Sequence, residues 1–392
     1  MIINKYSEKF NTMHSPLDIK NRLQDLIINK ETDYAKSIYK NPVTEYIDSK
    51  RAINEKKIIF EESPICIGTA ALVPNKGDWF TVDIGNKSIL IVRNNKTEIS
   101  AYLNICSHRG AKLVEGSGTK AYAFKCPYHS WIYNLNGELK ARPRENAFEE
   151  INKDQCSLKK FELDNHQGFL WLIMNKKAKN KHSSNKTDLN KLLTNYNFNK
   201  YHHFKSIKIN PKLNWKLAVD TFLELYHIDE LHTKSLAPII KNDLQLFDTY
   251  GKNIRVIGAR HSAVKLNRVL KDQREFDIHT IQLRIIFPNT ILVCHPDHVE
   301  VWQIIPKNEV NECEVSFSLY TKEAFSSKSA IRHWNNNFNL ALDAVVKEDF
   351  PLGENVQKGF YADPKRKILF GKNEPALQHF HKQIKLDLKL SA

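Results

Sequence analysis

Two short segments of the chain each contain one cysteine and one histidine, side chains that commonly bind transition metals. Cys106 and His108 are separated by one residue, and Cys126 and His129 are separated by two. Zinc is the ordinary interpretation of two cysteines and two histidines. Zinc fingers, however, pair cysteine with cysteine and histidine with histidine, whereas each segment here supplies one of each. The spacing therefore predicts a [2Fe-2S] centre in which one iron binds both thiolates and the other binds both imidazoles.

A second group of possible metal ligands lies in residues 220–232, where His227 and His232 are separated by four residues. Two histidines alone are usually structural. An iron–sulfur cluster transfers single electrons, however, and needs an acceptor. Fe(II) bound by two histidines and one carboxylate, with open positions for O2, is such an acceptor. We therefore expect His227 and His232 to bind a mononuclear iron, with the carboxylate supplied from elsewhere in the chain.

The spacing of these ligands constrains the local backbone. Glu224 and His227 are three residues apart and would share one face of a helix. His227 and His232 differ by five positions, which at about 100° per residue places them about 140° apart. A regular helix cannot direct both side chains at one metal. We therefore predict a break or a π-bulge between Ile228 and His232.

These patterns resemble those of a known family. The two cysteine–histidine segments are similar to the Rieske domain of the ring-hydroxylating, Rieske-type non-haem iron oxygenases. Residues 220–232 resemble the iron motif of that family, and the preceding Asn214-Trp215-Lys216 matches its lead-in. The resemblance extends over residues 40–390 and is to the α subunit, which is the terminal oxygenase.

The resemblance also implies the third iron ligand. Residues 347–357 resemble a C-terminal signature of the family in which the aspartate after a glutamate binds the metal. That aspartate corresponds to Asp349 in this chain. Asp343 and Glu348 are the alternatives, and an ordinary exposed carboxylate on a helix is the remaining interpretation.

The resemblance assigns a different role to Glu224. In the family, an acidic residue just before the first iron-binding histidine connects it to a cluster-binding histidine of the neighbouring subunit, here His129. Most members have aspartate at this position, so Glu224 is a departure that changes the reach of the carboxylate. Some members that oxidise quaternary amines also have glutamate there. Asp220, one turn earlier, is expected to be either a hydrogen-bond partner of the iron site or a simple capping residue.

The resemblance implies a terminal oxygenase that receives NAD(P)H electrons through a reductase, with or without a ferredoxin. It would use O2 to hydroxylate, dihydroxylate or oxidatively dealkylate an aromatic compound or a quaternary amine. It also implies a homo-oligomer, expected to be a trimer with or without a small subunit. The alternative is a Rieske electron-transfer protein without oxygenase activity. Respiratory Rieske proteins typically carry an additional cysteine in each cluster loop, and these loops have none, which favours the oxygenase.

Composition disfavours several other classes of protein. The chain has 392 residues and a net charge of +15, but its lysines are scattered, which disfavours nucleic-acid binding. A basic surface could instead attract an acidic electron donor. No apolar run reaches the ~18 residues of a membrane span, and the first residues lack the apolar core of a signal peptide. We therefore expect a cytoplasmic protein whose cysteines outside the cluster motif are buried thiols rather than disulfides.

Two kinds of domain are expected to position these sites. We predict an α+β fold with an N-terminal all-β Rieske [2Fe-2S] domain and a C-terminal catalytic domain of antiparallel sheet and helices, of the helix-grip or START-like type. The predicted boundaries are 1–50 for a helical lead-in packed on the catalytic domain, 51–175 for the Rieske domain and 176–392 for the catalytic domain. The polar residues 176–188 are expected to form a linker or loop at the boundary.

Alternating apolar residues predict the strands, and apolar stripes predict the helices. The predicted strands of the first domain are 65–68, 79–84, 88–93, 99–102, 121–125, 131–133 and 169–174. Those of the second domain are 254–265, 279–287, 290–294, 299–305 and 313–321. The predicted helices are one that begins at Ser15-Pro16 with the stripe Ile19, Leu23, Leu26 and Ile27, a short one in 45–62, and two at 323–349 and 374–388.

Overall fold

The computed structural model of the chain describes residues 16–390, which form two compact units. The β unit comprises residues 60–184 and 196–201, and the mixed unit comprises residues 16–59, 185–195 and 202–390. The predicted helix start at Ser15 and the first part of the predicted lead-in lie outside the described residues. Residues 16–59 therefore belong to the same unit as the second half of the chain.

The segment before the β unit is mainly helical. Its elements are α1 (Pro16–Asn29), β1 (Tyr39–Pro42), α2 (Thr44–Ile47), α3 (Ser49–Glu55) and a π-helical segment, Lys56–Glu61. The predicted stripe on α1 is confirmed, since Ile19, Leu23, Leu26 and Ile27 are all buried. These side chains pack in one apolar cluster with Leu246 and Ile257 of the mixed unit. Burial of this face, rather than helix propensity alone, stabilises α1.

The β unit is built from short antiparallel strands. They are β2 (Ile65–Thr69), β3 (Trp79–Ile84), β4 (Lys87–Arg93), β5 (Ile99–Leu103), β6 (Ser117–Gly118), β7 (Ala123–Lys125), β8 (Ile132–Asn134), β9 (Leu139–Ala141), β10 (Lys160–His166) and β11 (Phe169–Ile173). One sheet has the order β2-β11-β10-β5-β4-β3-β6, and a smaller sheet has the order β7-β8-β9. The predicted strands are confirmed, and a hairpin turn at 134–137 connects β8 to β9.

The mixed unit contains a second antiparallel sheet. Its strands are β12 (His202–Ile209), β13 (Ile240–Tyr250), β14 (Asn253–Arg260), β15 (Thr280–Ile286), β16 (Thr290–Cys294), β17 (His298–Pro306) and β18 (Cys313–Thr321). Consecutive strands from β13 to β18 are neighbours, and β12 pairs with β18 at the edge. A separate short strand, β19 (Lys367–Phe370), pairs with β1.

Helices precede, interrupt and follow this sheet. They are α4 (Lys176–Leu192), α5 (Trp215–Asp220), α6 (Ile228–Leu231), α7 (His261–Leu266), α8 (Gln273–His279), α9 (Lys328–Asp343), α10 (Phe350–Ala362) and α11 (Pro375–Asp387). A π-helical segment, Ala344–Asp349, joins α9 to α10. The predicted α+β class is therefore confirmed, and the four cysteines outside the cluster motif are buried thiols, as expected.

Strand prediction failed where polar residues are buried or where a strand is largely exposed. The sequence of β13 does not alternate clearly because it contains buried polar side chains, including Gln245 and Asp248. The edge strand β12 was also missed, since most of its side chains are exposed or half-buried. The predicted strand 254–265 ends at Arg260, and its last part is the helix α7.

Two helix predictions were also wrong. The helix expected to end at 349 continues through the π-helical segment to Ala362. Pro351 does not interrupt it and lies in the first turn of α10, directly after the π-helical segment. Residues 176–188, expected to be a linker or loop, lie in helix α4, whose residues Leu189 and Leu192 are buried. Lysine is a good helix former, so a lysine-rich segment can form a helix once apolar residues anchor its end.

Buried ion pairs connect the N-terminal helices to the rest of the mixed unit. The Arg22 guanidinium on α1 pairs with Asp33 and Asp248, at 2.7 Å in each case. The fully buried Lys216 ammonium lies 2.5 Å from Glu55 at the end of α3. A buried charge that loses its partner strongly destabilises a fold. These pairs therefore fix the N-terminal helices to the unit that contains the second candidate metal site.

We expect the substitution Glu55→Gln to destabilise the mixed unit. It leaves the Lys216 ammonium buried without an opposite charge, which costs about 3–5 kcal/mol. Thermal and denaturant unfolding of the iron-loaded protein would measure this loss. Glu314→Gln, which removes a half-exposed partner of Lys208, is the matched control and should have no measurable effect. An equal effect of both substitutions on stability would contradict the stabilising role assigned to the buried pair of Glu55 and Lys216.

Candidate cluster and iron centres

The two predicted cluster loops have the same backbone hydrogen-bond pattern. In each loop the cysteine N–H donates to the carbonyl five residues later (2.8 Å in both), and the cysteine carbonyl accepts the N–H four residues later (2.9 and 3.0 Å). The residue at that later position has a left-handed backbone, with φ of 76° at Gly110 and 61° at Ser130. The loops that begin at Cys106 and Cys126 are therefore matched turns, although their sequences differ.

The donor atoms of these loops lack the partners that buried polar groups normally have. The Nδ1 atoms of His108 and His129 are buried, and neither has a hydrogen-bond partner among the described residues. An unpartnered buried nitrogen is unfavourable unless it binds something. Burial also raises the pKa of the Cys106 thiol, so its thiolate needs a nearby positive charge. With Cys126, which is also buried, these four side chains fit a [2Fe-2S] cluster held by two thiolates and two imidazoles.

Neighbouring side chains fix the orientation of this donor set. The His108 ring stacks on Trp131, with ring centroids 4.9 Å apart. The Tyr133 hydroxyl accepts the Ser107 N–H at 3.0 Å and lies 3.3 Å from Cys106 Sγ. Burial raises the pKa of Tyr133 to about 12, so the hydroxyl keeps its proton and can donate it to the sulfur. Hydrogen bonds to cysteine sulfur are one of the means by which a protein sets the potential of an iron–sulfur cluster.

Three side chains converge in the mixed unit. Their ligand atoms, from His227, His232 and Asp349, all lie within 4.8 Å of one another. Asp349 Oδ1 is 3.2 Å from His232 Nε2 and 3.6 Å from His227 Nε2. Two imidazoles and one carboxylate on one side of a metal, with open positions opposite, are typical of non-haem Fe(II) oxygenases. The donors present therefore fit a mononuclear iron.

The backbone around the two histidines is irregular, as predicted, but the break is elsewhere. We expected it between Ile228 and His232, whereas those residues contain the single helical turn α6. Helix α5 ends at Asp220, so the non-helical segment precedes His227. The two candidate ligands thus flank one helical turn, and His232 leaves the helical conformation with φ −99° and ψ 33°. The π-helical geometry occurs instead at Ala344–Asp349, which ends at the third side chain of the group.

Each of the two imidazoles is oriented by a second carboxylate. Glu224 contacts His227 Nδ1, although the segment that contains them is not the helix that their spacing suggested, and Glu348 lies 2.6 Å from His232 Nδ1. The Ser235 hydroxyl donates to Glu348 at 2.7 Å. A carboxylate that accepts the Nδ1 proton leaves the Nε2 lone pair available for a metal. Glu348, considered above as an alternative ligand, thus lies on the outer side of His232.

The electrostatics of the group favour a cation. Burial acts to lower the pKa of His227 and of His232, but the neighbouring carboxylates outweigh it and raise both values. Glu224 and Asp349 raise the pKa of His227, while Asp349 and Glu348 raise that of His232. The potential between the three side chains is therefore negative, as a metal site requires.

The other predicted carboxylates lie elsewhere. Asp343 is exposed and pairs with Lys347 at 2.8 Å. Asp220 belongs to a separate buried network, in which it accepts the Tyr46 hydroxyl at 2.7 Å and lies 2.9 Å from His381 Nε2. Within residues 16–390, Asp220 has no hydrogen bond or ion pair with the three convergent side chains. The structure therefore does not bring Asp220 to the candidate iron site.

A cavity of about 100 Å³ opens beside the three convergent side chains. Apolar side chains form most of its wall, among them Phe222, Leu283 and Val345. A substrate with a carboxylate group would bind best beside an arginine. Among the described residues that line the cavity, neither Arg260 nor Arg284 is present. Glu300 and His295 do line it, although motif analysis missed them. Glu300 is the one acidic residue of the buried strand β17, and this is the sequence signal that could have identified it.

The fold and the two centres define the class of protein. Residues 63–162 match the family model of the Rieske [2Fe-2S] domain, and residues 198–387 match that of the ring hydroxylating alpha subunit catalytic domain. The chain belongs to the family of Rieske-type ring-hydroxylating oxygenases, as the sequence resemblance predicted. The first of these domains carries a [2Fe-2S] cluster and the second a mononuclear iron, which confirms the two expected cofactors.

Particular relatives are oxygenase subunits. The chain is 27% identical over 197 residues to the carnitine monooxygenase oxygenase subunit of Acinetobacter pittii, covering 49% of this chain and 52% of that protein. It is 29% identical over 198 residues to the glycine betaine monooxygenase oxygenase subunit of Chromohalobacter salexigens, covering 50% and 44%. The chain therefore spans about half the length of these relatives. With the large component of naphthalene 1,2-dioxygenase from Ralstonia sp it shares 24% identity over 331 residues, covering 69% and 71%.

Solved structures show the same fold. The quaternary ammonium Rieske monooxygenase CntA, in complex with L-carnitine, superposes with a TM-score of 0.73 at 19% identity and covers 93% of this chain and 98% of its own. A naphthalene 1,2-dioxygenase variant gives a TM-score of 0.71 at 19% identity, covering 89% and 92%. The likeness confirms the predicted order of an N-terminal Rieske domain and a C-terminal catalytic domain. No helix within residues 16–390 is long and apolar enough to cross a membrane.

We expect Asp349→Ala to lose the mononuclear iron and keep the cluster. Removing one of three ligands opens the site, so the iron content should fall from about three to about two atoms per chain. The visible spectrum of the cluster should be unchanged. Asp343→Ala, on the same continuous helix but exposed, is the control and should retain about three. Loss of iron from Asp343→Ala instead would reverse the assignment of the third ligand.

Proposed function

We propose that this chain is the terminal oxygenase component of a Rieske oxygenase system. The observation that carries this proposal is the group of His227, His232 and Asp349 beside an apolar cavity. A protein that only transfers electrons has no need of a second metal site, nor of a cavity that could hold an organic molecule. The family membership and the oxygenase relatives support the same function.

Each candidate residue has a role in this proposal. The cluster ligands are Cys106, His108, Cys126 and His129, and the iron ligands are His227, His232 and Asp349. The bound metals would supply electron transfer and oxygen activation. The chain orients the iron-binding imidazoles through Glu224 and Glu348, and its apolar cavity wall excludes water from the reacting molecule.

The substrate that we propose is a small organic molecule, either an aromatic compound or a quaternary amine. The small cavity supports this size class, and the relatives act on naphthalene, carnitine and glycine betaine. The reaction would be hydroxylation, dihydroxylation or oxidative dealkylation. Electrons would come from NAD(P)H through a cytoplasmic reductase, with or without a ferredoxin, and the net charge of +15 would favour an acidic donor.

We also propose that the active form is a homo-oligomer, expected to be a trimer. Glu224 accepts hydrogen bonds from the N–H groups of Tyr226 and His227 and from the His227 ring. A carboxylate has about four acceptor positions, so one remains for an external donor. When Nδ1 of His129 binds the cluster, its Nε2 carries a proton and can donate it. The proposed bridge therefore joins Glu224 of one subunit to His129 of a neighbouring subunit.

We expect the loaded protein to consume O2 when it is given NADH, a surrogate reductase and a panel of aromatic compounds and quaternary amines. At least one compound should give product in proportion to O2, and the iron content should be about three atoms per chain. An iron content of about two, with reduction of the cluster but no O2 uptake, would instead identify an electron-transfer protein. Oxygen electrode traces, product analysis and iron quantification together make this distinction.

We expect Glu224→Ala to keep both metal centres at saturating iron but to lose coupled product formation. The substitution removes the group that would connect the two centres and that orients His227. Glu224→Asp, which restores the residue found in most family members, should recover part of the rate. Glu230→Ala, an exposed acid on α6, is the control and should behave like the parent protein. Product formation at the parental rate in Glu224→Ala would contradict the bridge.

A further inference from the structure

The sheet forms one wall of the cavity, and this wall has one polar patch, which consists of Glu300 and His295. Glu300 lies on β17, and His295 follows β16 directly, so both belong to one hairpin. The other cavity-lining side chains of the sheet, including Ile281 and Leu283, are apolar. Polar groups on an apolar wall usually fix the orientation and identity of a ligand.

Glu300 is held rigidly at this wall. It is only 8% exposed, and its two oxygens have different partners. Oε1 lies 3.0 Å from His295 Nε2, and Oε2 accepts the Trp302 indole N–H at 3.1 Å. Burial acts to raise the pKa of Glu300, but the hydrogen bonds from His295 and Trp302 favour its ionised form, and the pKa is lowered. The side chain is therefore a fixed, ionised carboxylate.

The contacts of His295 indicate that it is neutral. The Arg260 guanidinium, which can only donate, lies 3.5 Å from His295 Nδ1. Nδ1 is therefore the acceptor, and the ring proton is on Nε2, where it is donated to Glu300. The ring also stacks on His298, with centroids 4.2 Å apart and planes within 6°, an arrangement that disfavours a charge on both rings. Because His295 is neutral and the Trp302 indole carries no charge, the hydrogen-bond partners of Glu300 do not cancel its negative charge.

We propose that Glu300 recognises a positively charged group of the substrate, so that the cavity selects a small organic cation. The inference rests on the proposed oxygenase function and narrows its substrate class. The apolar wall would contact the alkyl groups of the cation while the carboxylate neutralises its charge. A negatively charged aromatic acid would be repelled, since neither Arg260 nor Arg284 lines the described part of the cavity. His295 and Trp302 are positioning residues for Glu300.

A metal ion is the competing occupant of this patch. Ligand atoms of His295, His298 and Glu300 lie within 4.8 Å of one another, as a metal site requires. However, neither nitrogen of His295 offers a free lone pair to a metal, since Nδ1 faces the Arg260 guanidinium and Nε2 donates to Glu300. The Trp302 indole N–H also occupies one oxygen of Glu300. These contacts favour an organic cation, whose charge is spread over a larger volume than that of a metal ion.

The test compares choline with its neutral isostere, 3,3-dimethylbutan-1-ol, on the iron-loaded protein by isothermal titration calorimetry. The two probes have the same shape and differ in one positive charge. We expect choline to bind at least about tenfold more tightly, because a buried carboxylate favours an opposite charge. Glu300→Gln should reduce choline affinity by about tenfold or more and leave the neutral probe unchanged, while Glu300→Asp should recover part of the loss.

The controls separate this inference from the proposed function. Glu309→Gln, which is exposed beyond the end of β17, should bind both probes like the parent protein. Equal affinity for both probes, or no binding of choline at all, would overturn the inference. Iron content and O2 uptake with the compound panel are measured on the same preparations and report on the oxygenase function independently. An additional metal ion that is present in the parent protein and lost in Glu300→Gln would also overturn the inference, in favour of the metal site.

Discussion

Each of the two candidate iron-binding imidazoles is held at Nδ1 by a carboxylate, and this contact determines where its Nε2 atom points. Glu224 holds His227, and Glu348 holds His232. If either imidazole turned over, its free nitrogen would face away from Asp349, and the three donors would no longer converge. Much of the mixed unit can be understood as the means of bringing these two acids, from distant parts of the chain, to the correct sides of the rings.

His232 shows how this convergence is achieved. Two successive acids enclose its ring, with Glu348 at Nδ1 and Asp349 at Nε2. Successive residues of a regular α-helix point about 100° apart, and the wider π-helical turn at this point changes their directions. The helix that carries them is fixed by packing of Phe338 on Phe317 of β18, with centroids 4.5 Å apart. The position of this one helix on the sheet therefore places two groups at once. It places Asp349, the candidate ligand, and Glu348, which orients His232.

The parts of the fold that sequence could predict are those with local signals. Alternation predicted most strands, and the spacing of Cys106 and His108 predicted a loop, because the turn and its candidate ligands lie within a few residues. Glu348 could not be assigned its place from sequence, since its partner His232 is 116 positions away. The network around Asp220 was beyond prediction for the same reason, because its partners Tyr46 and His381 are 174 and 161 positions away. Long-range pairing of a polar side chain leaves no periodic trace in the sequence.

Charge compensation differs between the framework and the cavity. In the framework, buried acids meet permanent cations, as Asp248 meets Arg22 and Glu55 meets Lys216. Around the cavity, the partners seen for Glu224, Glu348, Asp349 and Glu300 in the described residues are imidazole rings, a hydroxyl, an indole and backbone N–H groups. An arginine or lysine paired directly with these acids would neutralise their charge and weaken the attraction for an incoming cation. A neutral imidazole instead orients a carboxylate or binds a metal without adding charge. The acids around the cavity therefore keep their negative potential, whereas the buried acids of the framework are neutralised by their cation partners. Such a cavity can bind positive charge.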